Sequence, residues 1–344
     1  MTPNLAIVTG GAGFIGSELV RQLLDRGDRV VVVDNFVNGK AENLEGVPSD
    51  RLEVVHEDIR HIDKLVPWLA RATTVYHLAC LGVRHSVHSP EENHEVNATA
   101  TLHLLRACRA QGVGRFVCVS SSEVYGTARW APMDENHPTS PCTVYGGSKL
   151  AGECYARAYH RTYGYPTVVV RPFNTYGPRS HHEGDSGEVI PKFLLRSLAG
   201  RPLVVFGDGT QTRDFTYVSD SARGIILAGT ADAAVGRTIN LGSGVETAVN
   251  ELAEAVTAAT GRERPDIARE VSRPGDVLRL CADITLARTL LGYEVGVALR
   301  DGLSKLVTWY REQARTPEEL LAGEVVRNWE RQTPPAHVRE ATDS

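Results

Sequence analysis

The first half of the chain alternates short, wholly apolar runs with stretches in which apolar positions recur every three to four residues. The apolar runs predict strands at LAIVTG (5–10), RVVVVD (29–34), RLEVVHED (51–58), TVYHLA (74–79), RFVCVS (115–120) and PTVVVRP (166–172). Helical spacing predicts FIGSELVRQLLDRG (14–27), stopped by Gly27, and two longer helices at 92–112 and 144–164. Strands that stay apolar along their length are buried on both faces, as in a parallel sheet covered by helices. Right-handed crossovers then wind these units into a doubly wound α/β domain over 1–172. Beyond Pro172 the rhythm breaks into Gly- and Pro-rich turns such as YGPRSHHEGDSGE. Residues 173–312 are expected to form mainly a smaller mixed α/β domain over the strand ends, with some segments returning to the sheet. A charged tail, 313–344, is expected to be mobile.

Composition narrows the class. Of the 344 residues 42% are hydrophobic and 23% charged, ordinary for a globular protein. A net charge of −5 gives no basic face for nucleic acid. The N-terminus lacks the basic and apolar regions of a signal peptide, and no run of about 18 apolar residues offers a membrane span. A cytoplasmic location is the expectation. Six scattered cysteines, without a CxxC pair, are expected to be reduced thiols. The histidines at 77, 85, 88 and 94 follow no metal-ligand spacing, so packing or surface roles are expected and no metal site is assigned.

Between the first strand and first helix stands TGGAGFIG, which places Gly10, Gly11, Gly13 and Gly16 at dinucleotide-loop spacing. Glycines let such a turn close and a pyrophosphate approach the backbone, while the helix N-terminus offers free N–H groups. Asp34 ends the next strand, 18 residues after Gly16. A carboxylate there accepts hydrogen bonds from the adenosine ribose and repels a 2′-phosphate, which predicts NAD rather than NADP. Asp58 is placed to meet the adenine, and Lys40 to lie near the ribose unless it is simply solvated. Phe14, Ile15, Asn35, Asn38, Gly39, Ile59, Leu78 and Ala79 complete the expected cofactor set.

Tyr145 and Lys149 stand four apart in TVYGGSKLAGE and share a helix face. An ammonium beside a phenol favours phenolate and lowers a pKa ordinarily near 10. Such a tyrosine can take a proton from a sugar hydroxyl while hydride leaves the same carbon for NAD. YxxxK alone recurs by chance, but here a glycine loop lies upstream and SSSEVYG (120–126) closes the preceding strand.

At this point the sequence resembles the extended short-chain dehydrogenase/reductases, specifically their nucleotide-sugar epimerases, dehydratases and decarboxylases. The motifs that carry it run over about residues 5–310: TGGAGFIG, HEDIR, YHLAC, SSSEVYG, YGGSK, RPFNTYGPR, FGDGTQTRDFTYVSD, INLGSG and RPGDVLRLCAD. The resemblance implies a Rossmann domain holding NAD, a second domain holding a nucleoside-diphosphate sugar, and transient oxidation at sugar C4. It implies Tyr145 as base, Lys149 on the nicotinamide ribose and Ser121 assisting. Ser122 would face the substrate, Asn174 its diphosphate, and Arg213 and Arg273 would neutralise that diphosphate. It also implies a homodimer in which the helices starting near Glu92 and carrying Tyr145 pair with their copies. Both helices show apolar residues on more than one face, among them Leu102, Leu105, Leu150 and Tyr159. SPCTVYGGSK and HLAC depart from the usual SPYxxSK and HLAA, which leaves the pocket shape near Cys80 and Cys142 open.

Glu123 bears on the reaction. A 4-epimerase needs only hydride transfer, rotation of the ketosugar and hydride return. A 4,6-dehydratase needs a base for the C5 proton as water leaves C6. Ser122-Glu123 therefore points first to dehydration, then to 4-epimerisation, with sugar-acid decarboxylation a further alternative. In the epimerase case Glu123 merely caps or solvates its turn. A non-catalytic NAD-binding regulator is disfavoured, because such a protein has no need of Tyr145, Lys149 and Ser121 together.

Overall fold

The computed structural model describes residues 4–184, 186–272, 277–327 and 329. The chain runs β1 (Leu5–Thr9), α1 (Phe14–Asp25), β2 (Arg29–Asp34), β3 (Leu52–His56), α2 (Ile62–Leu69) and β4 (Thr74–His77). Next come α3 (Val83–His88), α4 (Pro90–His94), α5 (Ala100–Ala110), β5 (Arg115–Val119), α6 (Val144–Tyr163) and β6 (Thr167–Pro172). They are followed by β7 (Asn174–Tyr176), α7 (Val189–Leu198), β8 (Leu203–Phe206), β9 (Thr212–Tyr217), α8 (Val218–Thr230) and β10 (Thr238–Leu241). The last elements are β11 (Glu246–Ala248), α9 (Val249–Thr260), β12 (Ile267–Glu270), α10 (Thr285–Leu291), α11 (Leu299–Arg311) and α12 (Pro317–Leu320).

Seven strands form one parallel sheet in the order β10-β6-β5-β4-β1-β2-β3. Successive residues of its central strands serve opposite cores. Val8, Val32 and Val119 join Leu19, Leu23 and Ile225 on one side. Ile7, Val31 and Phe116 join Leu65 and Leu104 on the other. This is why the runs are apolar rather than alternating. β3, at one edge of the sheet, departs from that reading: Glu53, Val54 and His56 are exposed.

The helix expected over 92–112 runs unbroken from Pro90 to Ala110, with a wider π turn over Glu95–Thr99 between α4 and α5. There Asn93 and Asn97 both donate to the Leu81 carbonyl, at 2.9 Å each, and both bond Ser148 of α6. These polar ties fix the YGGSK helix against the loop that follows β4.

A third core lies beyond the sheet. The three strands β11-β9-β7 and the pair β12-β8 are enclosed with α7, α9 and α11 around Phe193, Leu252, Val256 and Leu306. Leu320 and Leu321 are buried in the same core, and Glu324 pairs with Arg196 at 2.8 Å. The stretch 313–327, read from sequence as the start of a mobile tail, thus packs on α7, because it carries apolar residues among its charges. The remainder of that tail, Trp329 apart, lies outside the described residues. All six cysteines carry free thiols, three of them buried. No helix among the described residues is long and apolar enough to cross a membrane.

Candidate functional site

The strand order reverses between β1 and β4, and a crevice opens above their carboxyl ends. A cleft of about 690 Å³ occupies it, within the usual size of a ligand site. The expected cofactor, catalytic and substrate residues line this cleft, apart from Gly11, Lys40 and Arg273. Lys40 instead forms an ion pair with Glu183. Arg273 lies outside the described residues.

The glycine loop is built by close approach. Gly10 has φ +70°, and a Cβ there would sit 2.7 Å from the Ala79 nitrogen. A Cβ on Gly16 would collide with the Gly10 carbonyl, so α1 starts directly against the turn. Gly13 is the N-cap of α1 and has no side chain to satisfy the first N–H groups, which leaves them for an anion. Asp34 accepts the Ala12 N–H at 2.9 Å and the Phe36 N–H at 2.8 Å. Burial raises its pKa, and these two bonds oppose the rise. Gly39 leaves that carboxylate open, since a Cβ there would stand 2.8 Å from both oxygens. Asp58 accepts from Arg60 at 2.8 Å and from Asn35 at 2.9 Å, and Arg60 above all holds its pKa down at about 2. The glycine loop and the Asp34 and Asp58 carboxylates thus line one cleft of a size and shape that suits a dinucleotide.

Thr143 caps α6 by accepting the Gly146 N–H at 3.0 Å, which puts Tyr145 in the first turn and Lys149 one turn deeper. Lys149 is buried and donates to the Val119 carbonyl at 2.6 Å, at the end of β5. From that strand end, Ser121 caps the short turn Ser122–Val124 by accepting the Glu123 N–H at 3.2 Å. A Cβ on Gly146 would stand 2.7 Å from the Glu123 carbonyl, so α6 and this turn meet backbone to backbone. Tyr145 and Ser121 share a side-chain hydrogen bond.

One expectation is reversed. The Tyr145 phenol is not lowered but raised well above its ordinary pKa, first by burial and then by Cys80, with Glu123 and Glu188 adding to the rise. The Ser121 bond opposes it, and the Lys149 ammonium is committed to a backbone carbonyl. Desolvation therefore outweighs the helix-face pairing on which the sequence argument relied.

Asn174 on β7 and Arg213 on β9 reach the cleft from the third core. The Asn174 Oδ1 and Ser120 Oγ are buried with no hydrogen-bond partner among the described residues. Arg213 donates to the carbonyls of Thr212, at 2.8 Å, and Val277, at 2.6 Å. Sequence reasoning missed Glu188, the N-cap of α7. Its carboxyl lines the cleft, is felt by Tyr145, and is pushed up to about 8 by burial. The one available signal was an acid directly before the apolar helix VIPKFLLRSL. His77, by contrast, bonds Thr9 at 2.8 Å and Thr101 at 2.7 Å, and burial takes its pKa down to about 3. It is a neutral packing residue. Among the described residues no group of three His, Cys, Asp or Glu is placed to hold a metal.

The family model described as GDP-mannose 4,6 dehydratase matches residues 7–306. The chain is 39% identical over 315 residues to the UDP-glucose 4-epimerase of Mycolicibacterium smegmatis, covering 90% of this chain and 99% of that one. It is 36% identical over 325 residues to UDP-glucuronic acid decarboxylase 1 of Arabidopsis thaliana, covering 91% and 71%. Among solved structures, the dTDP-glucose 4,6-dehydratase DesIV of Streptomyces venezuelae, with NAD and TYD bound, superposes with a TM-score of 0.84. The identity there is 36%, over 90% of this chain and 97% of that one.

Proposed function

Since the chain belongs to the GDP-mannose 4,6-dehydratase family of nucleotide-sugar epimerases, dehydratases and decarboxylases, we propose that it is an NAD-dependent 4,6-dehydratase of a nucleoside-diphosphate hexose. The observation that carries this reading is the place of Glu123, close enough for its charge to act on the Tyr145 phenol. A second carboxylate beside the oxidising centre is what dehydration requires and simple epimerisation does not. Bound NAD would supply the acceptor for the C4 hydride and its later donor.

The residues divide the remaining work. The α1 N-terminus and Gly10, Gly13 and Gly16 fit the pyrophosphate, Asp34 the adenosine ribose and Lys149 the nicotinamide ribose. Tyr145 would take the O4 proton as phenolate, which requires the positive charge of bound NAD to offset the burial that otherwise keeps this phenol neutral, and Ser121 shares the charge that develops on O4. Glu123 takes the C5 proton. Glu188, with its pKa raised to about 8, is protonated at neutral pH and fits as donor to the departing C6 hydroxyl. Asn174 and Arg213 serve the diphosphate.

The epimerase relative at 39% identity supports a second reading, 4-epimerisation, in which Glu123 only completes its turn. A panel of nucleotide sugars read by mass spectrometry separates the outcomes. Loss of water marks dehydration, loss of carbon dioxide marks decarboxylation, and a new chromatographic peak of unchanged mass marks epimerisation. Tyr145→Phe should slow hydride transfer by about 10² or more. Glu123→Gln should still reduce the nicotinamide, while elimination and deuterium uptake at C5 are lost. Full turnover of Glu123→Gln to a 4-epimer would overturn the dehydratase reading.

A further inference from the structure

The family match ends at residue 306, yet the chain returns to the cleft well beyond it: Glu324, Val326 and Trp329 all line its wall. This return is anchored. Arg196 holds Glu324, Lys192 donates to the Val325 carbonyl at 2.9 Å, and Arg327 donates to Glu270 at 2.8 Å. Trp329 then meets Phe206, at the end of β8, edge to face with ring centroids 5.1 Å apart. Both rings line the cleft.

The position of this aromatic pair follows from α7. Glu188, at the start of that helix, acts on Tyr145, whereas Arg196 holds the returning segment. Eight residues of helix separate the two by about 12 Å. The Phe206 carbonyl accepts from Gln211 at 3.0 Å, and Arg213 follows two residues later on β9. An aromatic wall thus stands next to the arginine assigned to the diphosphate, remote from the reacting phenol. A nucleoside diphosphate sugar has one planar, polarisable group to place beyond its phosphates. That group is its base, and aromatic side chains hold bases by stacking.

We propose that Trp329, carried by the C-terminal segment outside the family match, packs against the nucleobase of the substrate and forms, with Phe206, the wall of the base subsite. This rests on the nucleotide-sugar reading above. The full chain and its Trp329→Ala and Trp329→Phe variants are compared by calorimetry with UDP, dTDP, GDP, ADP and CDP, and with inorganic pyrophosphate, which has no base. Trp329→Ala should weaken binding of the best-bound nucleotide about tenfold, the scale of one lost base stack. Trp329→Phe should restore most of it, while pyrophosphate affinity and NAD content stay as in the parent. Unchanged nucleotide affinity in Trp329→Ala overturns the proposal, as does an equal loss for nucleotide and pyrophosphate, which would report a general disturbance. A parent chain that binds none of these nucleotides overturns the nucleotide-sugar reading itself, and this proposal with it.

Discussion

Two carboxyl groups and a phenol face one another in the cleft, and their surroundings set their protonation differently. Tyr145 and Glu188 are both pushed towards their neutral forms by burial. For Glu188 the folded pKa rises from 4.5 to about 8, so the native state binds its proton more tightly than the unfolded chain does. Its contribution to stability is complete below about 4.5, declines as the pH climbs, and is gone above about 8. Glu188→Gln should therefore flatten the urea midpoint across this window, where the parent loses stability. If Glu188 is the proton donor, the parent's kcat should also fall above about pH 8, and the variant should be slow without that alkaline limb. A parent profile that stays level through pH 8 would exclude the donor role. Tyr145, Lys149 and Asp34 were legible in the sequence because helix spacing and a strand–turn–helix rule place them locally. Glu188 was not, because its environment arises only when α7 folds back over the cleft.

At the level of elements, the helix that carries Tyr145 is tied to the sheet by a buried ion pair. Glu153 on α6 accepts from Arg171 on β6 through both oxygens, at 2.8 and 2.7 Å, and neither side chain is more than 2% exposed. The Arg171 guanidinium also lies 4.6 Å from the Tyr125 ring centroid, two residues beyond Glu123. Tyr125 in turn donates to Asn240 on β10 at 2.7 Å. One network thereby spans α6, the Glu123 turn and two strands. Glu153→Ala leaves a buried guanidinium uncompensated and should cost about 3–5 kcal/mol in urea unfolding. Joint replacement of both partners by apolar residues of similar volume should cost far less. Equal costs for the single and double variants would show that packing, not charge, dominates this tie. The sequence displayed the strands and helices that meet here, since their periodicity is local. It did not display the π turn or the packed 313–327 segment, which depend on Asn93 and Asn97 reaching Leu81 and on Leu320 and Leu321 finding a distant core.

For the whole molecule, the open question is what covers the outer faces of α5 and α6. Of the apolar residues on α5, Leu105 points into the core beneath the sheet. Leu102, Tyr155 and Tyr159 are half-buried, and Tyr163 is 52% exposed at the end of α6. Tyr155, Tyr159 and Tyr163 recur every four residues and so form a stripe along one helix face. Tyr159 and Tyr163 pack edge to face at 5.2 Å, and Arg109 of α5 lies 4.2 Å from the Tyr163 centroid, which ties the two helices into one surface. Aromatic rings and arginine are the residues that protein interfaces favour. A second copy of the chain, laying its own α5 and α6 across this stripe, would bury the aromatic surface and leave both clefts open at the sheet ends. We therefore expect a homodimer, with light scattering at micromolar concentration reporting twice the chain mass. Tyr159→Glu would place a carboxylate in the centre of that contact and should shift the mass towards the monomer without loss of bound NAD. A parent chain that scatters as a monomer would remove the four-helix pairing and leave the tyrosine stripe as ordinary surface.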